Sequence, residues 1–102
     1  MTPRMVRELA PMLTAARRTA RFRAGVLPYF GAEGVPFGVL TVLHTLIEQD
    51  AAPDAFLTLA LICDTAGRAL RAASCGAISC RWEFVAGALR AEGAARIAER
   101  AP

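Results

Sequence analysis

The chain offers few side chains of the kind that catalyse reactions or bind metal ions. It holds one histidine (His44), one tyrosine and three cysteines in 102 residues. Hydrolytic and group-transfer enzymes use a nucleophile beside a base, or two carboxylates in one cleft, and no spacing here predicts such a pair. The glycine-rich motifs that bind nucleotide phosphates are missing from the sequence as well. These observations predict a protein that is not an enzyme and that uses no cofactor.

The spacing of the cysteines does not favour a metal site. Cys63, Cys75 and Cys80 are separated by 11 and then 4 residues, whereas zinc sites commonly combine two close pairs such as C-x2-C. Free cysteine is among the most buried residue types, so we expect Cys63 to pack as a small hydrophobe. Cys75 and Cys80 flank a turn, where exposed thiols are expected. An odd number of cysteines without a secretory signal also favours the cytoplasm.

Arginine is the feature of the sequence that points to a binding function. All 12 basic residues are arginines, and a guanidinium presents a planar set of donors that suits phosphate and carboxylate partners. Residues 1–24 contain six arginines and one glutamate, a net charge of +5, and the remaining residues have a net charge of −2. A basic arm on a nearly neutral body is typical of proteins that bind an acidic partner such as nucleic acid. A GC-rich coding bias, or a solvated basic helix face, would give the same pattern.

The break Cys-Gly-Ala-Ile-Ser at residues 75–79 separates two helical segments rich in alanine and arginine. Its length suits the turn of a helix-turn-helix, with residues 65–74 as the first helix and residues 79–92 entering the major groove, Ser79 being the N-cap. The following stretch, LRAEGAARIAER, resembles the end of a winged-helix reader. Base edges are read mostly by arginine, asparagine and glutamine, and this segment offers only Arg81 and Arg90. Sequence-specific reading would therefore depend on few side chains.

The hydrophobic pattern predicts a single all-α domain at residues 1–102, a small bundle of four to five helices. Its parts are a basic N-terminal helix or arm at 1–24, a loop and candidate hinge at 25–35, and a helical body at 36–102. We expect a kink or a new helix start at Pro11, and Gly93 is a candidate end for the last helix. Residues 55–63 are apolar nearly all round, which predicts deep burial or an oligomer. The first helix carries an apolar stripe made of Met5, Leu9, Met12, Leu13 and Ala16.

Two functions are consistent with these features. The leading prediction is a small cytoplasmic DNA-binding regulator of phage or mobile-element type, with a helix-turn-helix-like body and an arginine-rich N-terminal helix. The alternative is a non-catalytic protein–protein interaction module, an inhibitor or adaptor that docks on an acidic protein surface. Both allow a homo-oligomer, and neither involves a membrane, a metal or a cofactor. The residues predicted to contact DNA or the partner are Arg17, Arg18, Arg21, Arg23, Ser79, Arg81 and Arg90.

Overall fold

The computed structural model describes residues 2–101, which form four α-helices and one short 3-10 helix. The α-helices are α1 (Pro3–Val26), α2 (Phe37–Glu48), α3 (Pro53–Ala72) and α4 (Gly76–Arg100), and the 3-10 helix at Leu27–Tyr29 follows α1 directly. Within the described residues the only β-structure is an isolated bridge between Phe30 and Val35. The prediction of a small all-α bundle is confirmed.

α1 begins where the sequence predicts and continues through Pro11. The Thr2 side chain accepts a hydrogen bond from the Met5 amide at 3.2 Å, and Pro3 occupies the first turn, where a missing amide donor costs nothing. Pro11 lies inside one continuous helix, so no new helix starts there. The proline deprives the Arg7 carbonyl of its helical donor, but residues 2–14 are all exposed, so water can hydrogen-bond that carbonyl.

The turns after α2 and α3 have the same hydrogen-bonding pattern, a Schellman motif. After α3, the Ser74 amide donates to the Arg71 carbonyl at 3.0 Å, and the Cys75 amide donates to the Leu70 carbonyl at 2.8 Å. Ser74 has a φ of 65° and Asp50, at the equivalent position after α2, has a φ of 45°. The second of these turns reverses the chain so that α4 returns alongside α3.

The core lies between α3 and α4 and is closed by α2 and by the segment after α1. Phe56, Val85 and Leu89 are completely buried, and Phe30 and Val35 join them from the loop. The ring of Tyr29 stacks on Phe84 with 4.0 Å between centroids, so the loop is held on the body at two places. α3 is buried on one face only. Leu61 and Ile62 are 65% and 55% exposed, so the prediction of burial all round is wrong for that face.

α4 differs from its prediction at both ends. It begins at Gly76, so Ser79 lies inside its first turns and is not the N-cap. Gly93 does not end the helix, which continues to Arg100. A Cβ atom at Gly93 would lie 2.8 Å from Cδ2 of Leu57, so glycine here permits a close approach between α3 and α4. The sequence signal that resembled a helix end is a packing requirement.

α1 packs on the body along its second half only. It runs antiparallel to α4, since Arg18 contacts Glu92 and Glu99 while the later Tyr29 reaches Phe84. Residues 3–14, here called the projecting segment, are exposed and extend past the end of α4. The longest dimension of the molecule is 58 Å, whereas the 25 residues of α4 span about 37 Å. The boundary between packed and projecting parts lies near residue 15, inside α1, rather than in the 25–35 loop.

Candidate functional site

The two helices on either side of the Cys75 turn pack against each other along their length. Near the turn, the Ser79 hydroxyl donates to the Gly67 carbonyl at 2.7 Å. At the far end, Gly93 of α4 lies against Leu57 of α3. A helix-turn-helix has its helices at roughly 90–120°, which leaves the second helix free to enter a groove. α3 and α4 instead form an antiparallel helical hairpin, so the predicted reading face of residues 79–92 is largely part of the packing surface.

The three residues predicted on the reading helix do not share an open face. Ser79 is completely buried, and its hydroxyl is used by the hydrogen bond to Gly67. Arg81 is half-buried beside the loop, where its Cδ atom lies close to Gly34. Arg90 is exposed and has Asp64 at 4.0 Å. These placements leave no cluster of base-reading side chains on α4.

Arg18 is half-buried and forms ion pairs between α1 and α4. Its Nη2 atom lies 3.0 Å from Oε1 of Glu92, its Nε atom lies 3.3 Å from Oε2 of the same carboxylate, and it also contacts Glu99. Glu92 is 3% exposed, and it accepts a further hydrogen bond from Nε of Arg96 at 3.0 Å. Two guanidinium groups thus neutralise one buried carboxylate. Arg18 anchors α1 to α4, and its guanidinium is already paired with these two carboxylates.

The contacts around Arg96 extend this anchor into an ionic network, defined as Arg18, Thr19, Asp50, Glu92 and Arg96. Arg96 is 6% exposed and donates to Asp50 at 3.0 Å and to the Thr19 hydroxyl at 3.4 Å. Its guanidinium also lies over the Phe56 ring. One side chain therefore connects α1, the end of α2, α3 and α4. The buried charge of Arg96 is tolerated because each guanidinium nitrogen has a hydrogen-bond partner and the group also lies over an aromatic ring.

Arg17 and Arg21 are exposed on the outer side of α1, and Arg7 lies on the same side of the helix. At 100° per residue, these three positions fall within about 80° of the helix circumference. We call these residues the arginine face. Thr14 lies within it, and Thr14, Arg17, Arg18 and Arg21 line a cleft of about 320 Å³. In the described residues, no carboxylate pairs with Arg7, Arg17 or Arg21.

Arg23, the last of the predicted contact residues, lies on a different side of α1. It lines a second cleft, of about 350 Å³, between α1 and the ends of α2 and α4. Ala16, Thr19 and Ile47 supply part of the wall of this cleft, and Asp50 lies at the same place. Arg23 is therefore separated from the arginine face.

The remaining arginines of the described chain are matched by acidic residues, with one exception. Arg81 has no ion pair within residues 2–101. A carboxylate lies within 4.0 Å of each of the others, which are Arg4, Arg68, Arg71, Arg90, Arg96 and Arg100. The unmatched positive charge of the described chain is therefore concentrated on α1. A polyanion would find its strongest attraction there.

The projecting segment also presents exposed apolar side chains. Met5, Leu9, Met12 and Leu13 of the apolar stripe are between 37% and 67% exposed. The stripe is centred roughly 130° around the helix from the arginine face, so the two surfaces do not overlap. None of the helices in residues 2–101 is both long enough and apolar enough to cross a membrane.

The cysteines and the histidine do not form a site. Within residues 2–101, no group of three or more histidine, cysteine or acidic side chains could hold a metal ion. All three cysteines are free, with Cys63 buried, Cys75 half-buried and Cys80 exposed. Burial raises the pKa of the Cys63 thiol to about 11, so it remains protonated. Nε2 of His44 is buried and has no hydrogen-bond partner in the described part of the chain.

Arg7 belongs to the arginine face but is not among the contact residues predicted from the sequence. Its distance from Arg17 and Arg21 is 10 and 14 residues, which places it on their side of a continuous helix. That signal is usable only if the helix continues through Pro11. Because a proline predicts an interruption, Arg7 is easily assigned to a separate segment.

Comparison with known proteins gives no relative to this chain: no protein-family model matches it, and neither a curated protein nor a solved structure is similar.

Proposed function

We propose that this protein is a non-catalytic, cytoplasmic regulator that binds duplex DNA through the phosphate backbone. The contacts come from Arg7, Arg17 and Arg21 on α1. The observation that supports this proposal is the concentration of unpaired arginines on one exposed helix face, while most of the arginines elsewhere are neutralised by carboxylates. Guanidinium groups that have no internal partner are available to phosphate oxygens.

The geometry of the arginine face suits a row of phosphates. Arg17 and Arg21 are one helical turn apart, about 6 Å along the axis, and Arg7 is about 15 Å from Arg17. The cleft of about 320 Å³ lined by Thr14, Arg17, Arg18 and Arg21 lies on this face, and it is where we expect a phosphate group to bind. Contacts of this kind position a protein on DNA and carry no sequence information.

The proposal differs from helix-turn-helix recognition in where the contact lies. Ser79 is buried and Arg90 lies near Asp64, so α4 does not supply a reading surface. Binding through α1 alone predicts similar affinity for duplexes of different sequence. It also predicts a salt dependence with a slope of about −2.7 in log affinity against log salt, since three phosphates are neutralised per chain.

A second candidate is the docking of an acidic protein, and the apolar stripe is the observation that favours it. Phosphate contacts do not need Met5, Leu9, Met12 and Leu13 on the surface, whereas an amphipathic acidic helix would cover them and pair its carboxylates with the neighbouring arginines. Affinity for such a partner would depend on both surfaces of α1. Affinity for DNA would depend on the arginine face more directly than on the stripe.

The test compares two triple variants that lose the same charge. Arg7, Arg17 and Arg21 are replaced by glutamine in the first variant, and the exposed Arg68, Arg90 and Arg100 are replaced in the control. Each protein is titrated into labelled duplexes of two unrelated sequences across a salt series. The proposal expects the first variant to lose at least tenfold in affinity and most of the salt slope, while the control retains the greater part of both.

Three results would count against the DNA proposal. An equal loss in both variants would mean that net charge alone causes the binding, and a strong preference for one duplex would indicate base reading. If the native protein does not bind DNA at low salt, the DNA proposal is wrong. A synthetic amphipathic helix with leucine on one face and glutamate on the other is then the probe, and polyglutamate is its control. Binding to the amphipathic helix alone would support the second candidate.

A further inference from the structure

The projecting segment has an exposed apolar surface that a helix does not normally leave open to water. Residues 2–14 are all exposed, and within residues 2–101 no part of the body packs over Met5, Leu9 or Met12. A short helix that has no packing partner is only marginally stable in water, and most helical stability in proteins comes from burial of an amphipathic face. The segment therefore offers an open apolar surface to a partner.

We propose that the partner is a second copy of this chain, whose own projecting segment packs antiparallel against the apolar stripe. The first observation is the spacing of Met5, Leu9, Met12 and Ala16, which follow one another at intervals of 4, 3 and 4 residues. This is the spacing of the apolar positions in a coiled-coil seam, over nearly two heptads. Val6 and Leu13 lie on one flank of the seam and widen it.

The seam is self-complementary when the two helices run in opposite directions. If the two-fold axis passes between Leu9 and Met12, Leu9 of one copy faces Met12 of the other. Met5 then faces Ala16, so a long side chain meets a small one at each end. The widened flanks meet each other, because the same side of each helix is adjacent in an antiparallel pair. The centre of each arginine face lies roughly 130° from the centre of the stripe, and Arg17 borders the widened flank of the contact.

The second observation is that the seam leads into the cleft of about 350 Å³. Ala16 belongs both to the stripe and to the wall of that cleft, which also contains Asp50 and Glu99. In the antiparallel arrangement the first turn of the second copy reaches this cleft, which Arg18, Arg23 and Arg96 also line. Both carboxylates are already paired, Asp50 with Arg96 and Glu99 with Arg18, so the contact depends on its apolar side chains and not on charge.

A parallel arrangement is disfavoured by the same cleft. The next positions of the seam after Ala16 are Thr19 and Arg23, and both line the cleft between α1 and the body. In a parallel pair Arg23 would also lie against the Arg23 of the other copy. Like charges in contact destabilise an interface. The antiparallel pair avoids this contact because each body lies at an opposite end of the seam.

The experiment measures the molar mass of the full chain by light scattering and sedimentation from low to high micromolar concentration. The native chain is expected to be a dimer, and Leu9→Glu with Met12→Glu is expected to be a monomer. The matched control carries Leu61→Glu and Ile62→Glu, at two apolar positions of α3 that are also exposed. This control is expected to stay a dimer. Thermal unfolding checks that the body of each variant remains folded. We expect that it does, because neither pair of residues is in the core.

The orientation is tested by disulfide cross-linking after Cys75 and Cys80 are replaced by serine. Met5→Cys and Ala16→Cys are made in separate chains. An antiparallel pair is expected to give cross-links when the two chains are mixed and few when Met5→Cys is alone. Cross-linking of Met5→Cys to itself would overturn the orientation. A native monomer at high concentration, or loss of the dimer in the α3 control alone, would overturn the proposal.

The dimer and the DNA proposal can fail separately. A seam of apolar side chains persists in high salt, whereas phosphate contacts weaken steeply as salt increases. Glutamine substitution of the arginine face is therefore expected to remove DNA affinity and to leave the dimer mass unchanged. If the protein is a dimer but does not bind DNA, the dimer proposal stands and only the proposed DNA-binding function is wrong.

Discussion

The guanidinium carbon of Arg96 lies 4.4 Å from the centroid of the Phe56 ring. This contact joins the most buried arginine of the described chain to the largest completely buried side chain of the core. The same guanidinium donates to Glu92 and Asp50. The ionic network and the hydrophobic core are therefore in direct contact, and the position of α1 depends on both.

Replacement of Arg96 by alanine is expected to lower the free energy of unfolding by about 3 kcal/mol, since it removes one of the two charges that neutralise the buried Glu92. Urea unfolding followed by circular dichroism measures the change. Arg100→Ala is the control, because Arg100 is 46% exposed and lies 3.7 Å from Asp50. An exposed pair of this kind contributes about 0–1 kcal/mol. Equal losses in the two variants would contradict the importance of the network.

Replacement by alanine is expected to change the stability of the protein in opposite directions at two glycines of the helical hairpin. A Cβ atom at Gly67 would lie 3.0 Å from Cγ of Glu83 and 3.3 Å from the Ser79 carbonyl oxygen, where the backbone of α4 cannot easily move. The strain of about 1–3 kcal/mol equals or exceeds the helix-propensity gain of about 1 kcal/mol, so Gly67→Ala should destabilise the fold.

Gly87 is the matched position, since a Cβ atom there would meet only Nη2 of Arg90 at 3.8 Å. Gly87→Ala should therefore stabilise the protein by up to about 1 kcal/mol. The midpoints of urea unfolding of the two variants compared with the native chain test both expectations. A gain at both positions would show that α3 and α4 are not as closely packed at Gly67 as the structure describes.

The three cysteines are expected to differ in their reaction with a thiol reagent at pH 8. The Cys63 pKa of about 11 leaves about one thiol in a thousand ionised at that pH, and the side chain is buried. Cys80 is exposed and should react first, and Cys63 should react only when urea unfolds the chain. Mass spectrometry of the labelled peptides gives the order of reaction. Rapid labelling of Cys63 in the native protein would contradict its burial.

Features that depend on sequence neighbours were predictable. Thr2 and Pro3 define the start of α1 because the cap needs only the amides that follow it within one turn. The all-α class follows from apolar periodicity in the same way. The end of α4 was missed at Gly93 because a glycine that allows close packing and a glycine that ends a helix look the same in one sequence. The distinction depends on Leu57, 36 positions earlier in the chain.

The candidate site was only partly predictable for a related reason. Arg17 and Arg18 are adjacent and chemically equivalent in the sequence, but Arg18 faces Glu92 and Glu99 while Arg17 faces solvent. Which arginine is neutralised depends on the docking of α1 on α4, a contact between residues 74 positions apart. Ser79 likewise fits a local capping pattern, and its hydroxyl is instead used by Gly67 across the hairpin.

The continuity of α1 through Pro11 has a mechanical consequence. With no second helix start between the projecting segment and Arg18, the helix acts as a lever with one end held in the ionic network. The angle between its apolar stripe and its arginine face is then fixed by the helix itself. A partner that rotates the stripe must rotate the arginine face by the same amount, so the two surfaces of α1 can be presented only in one relative orientation.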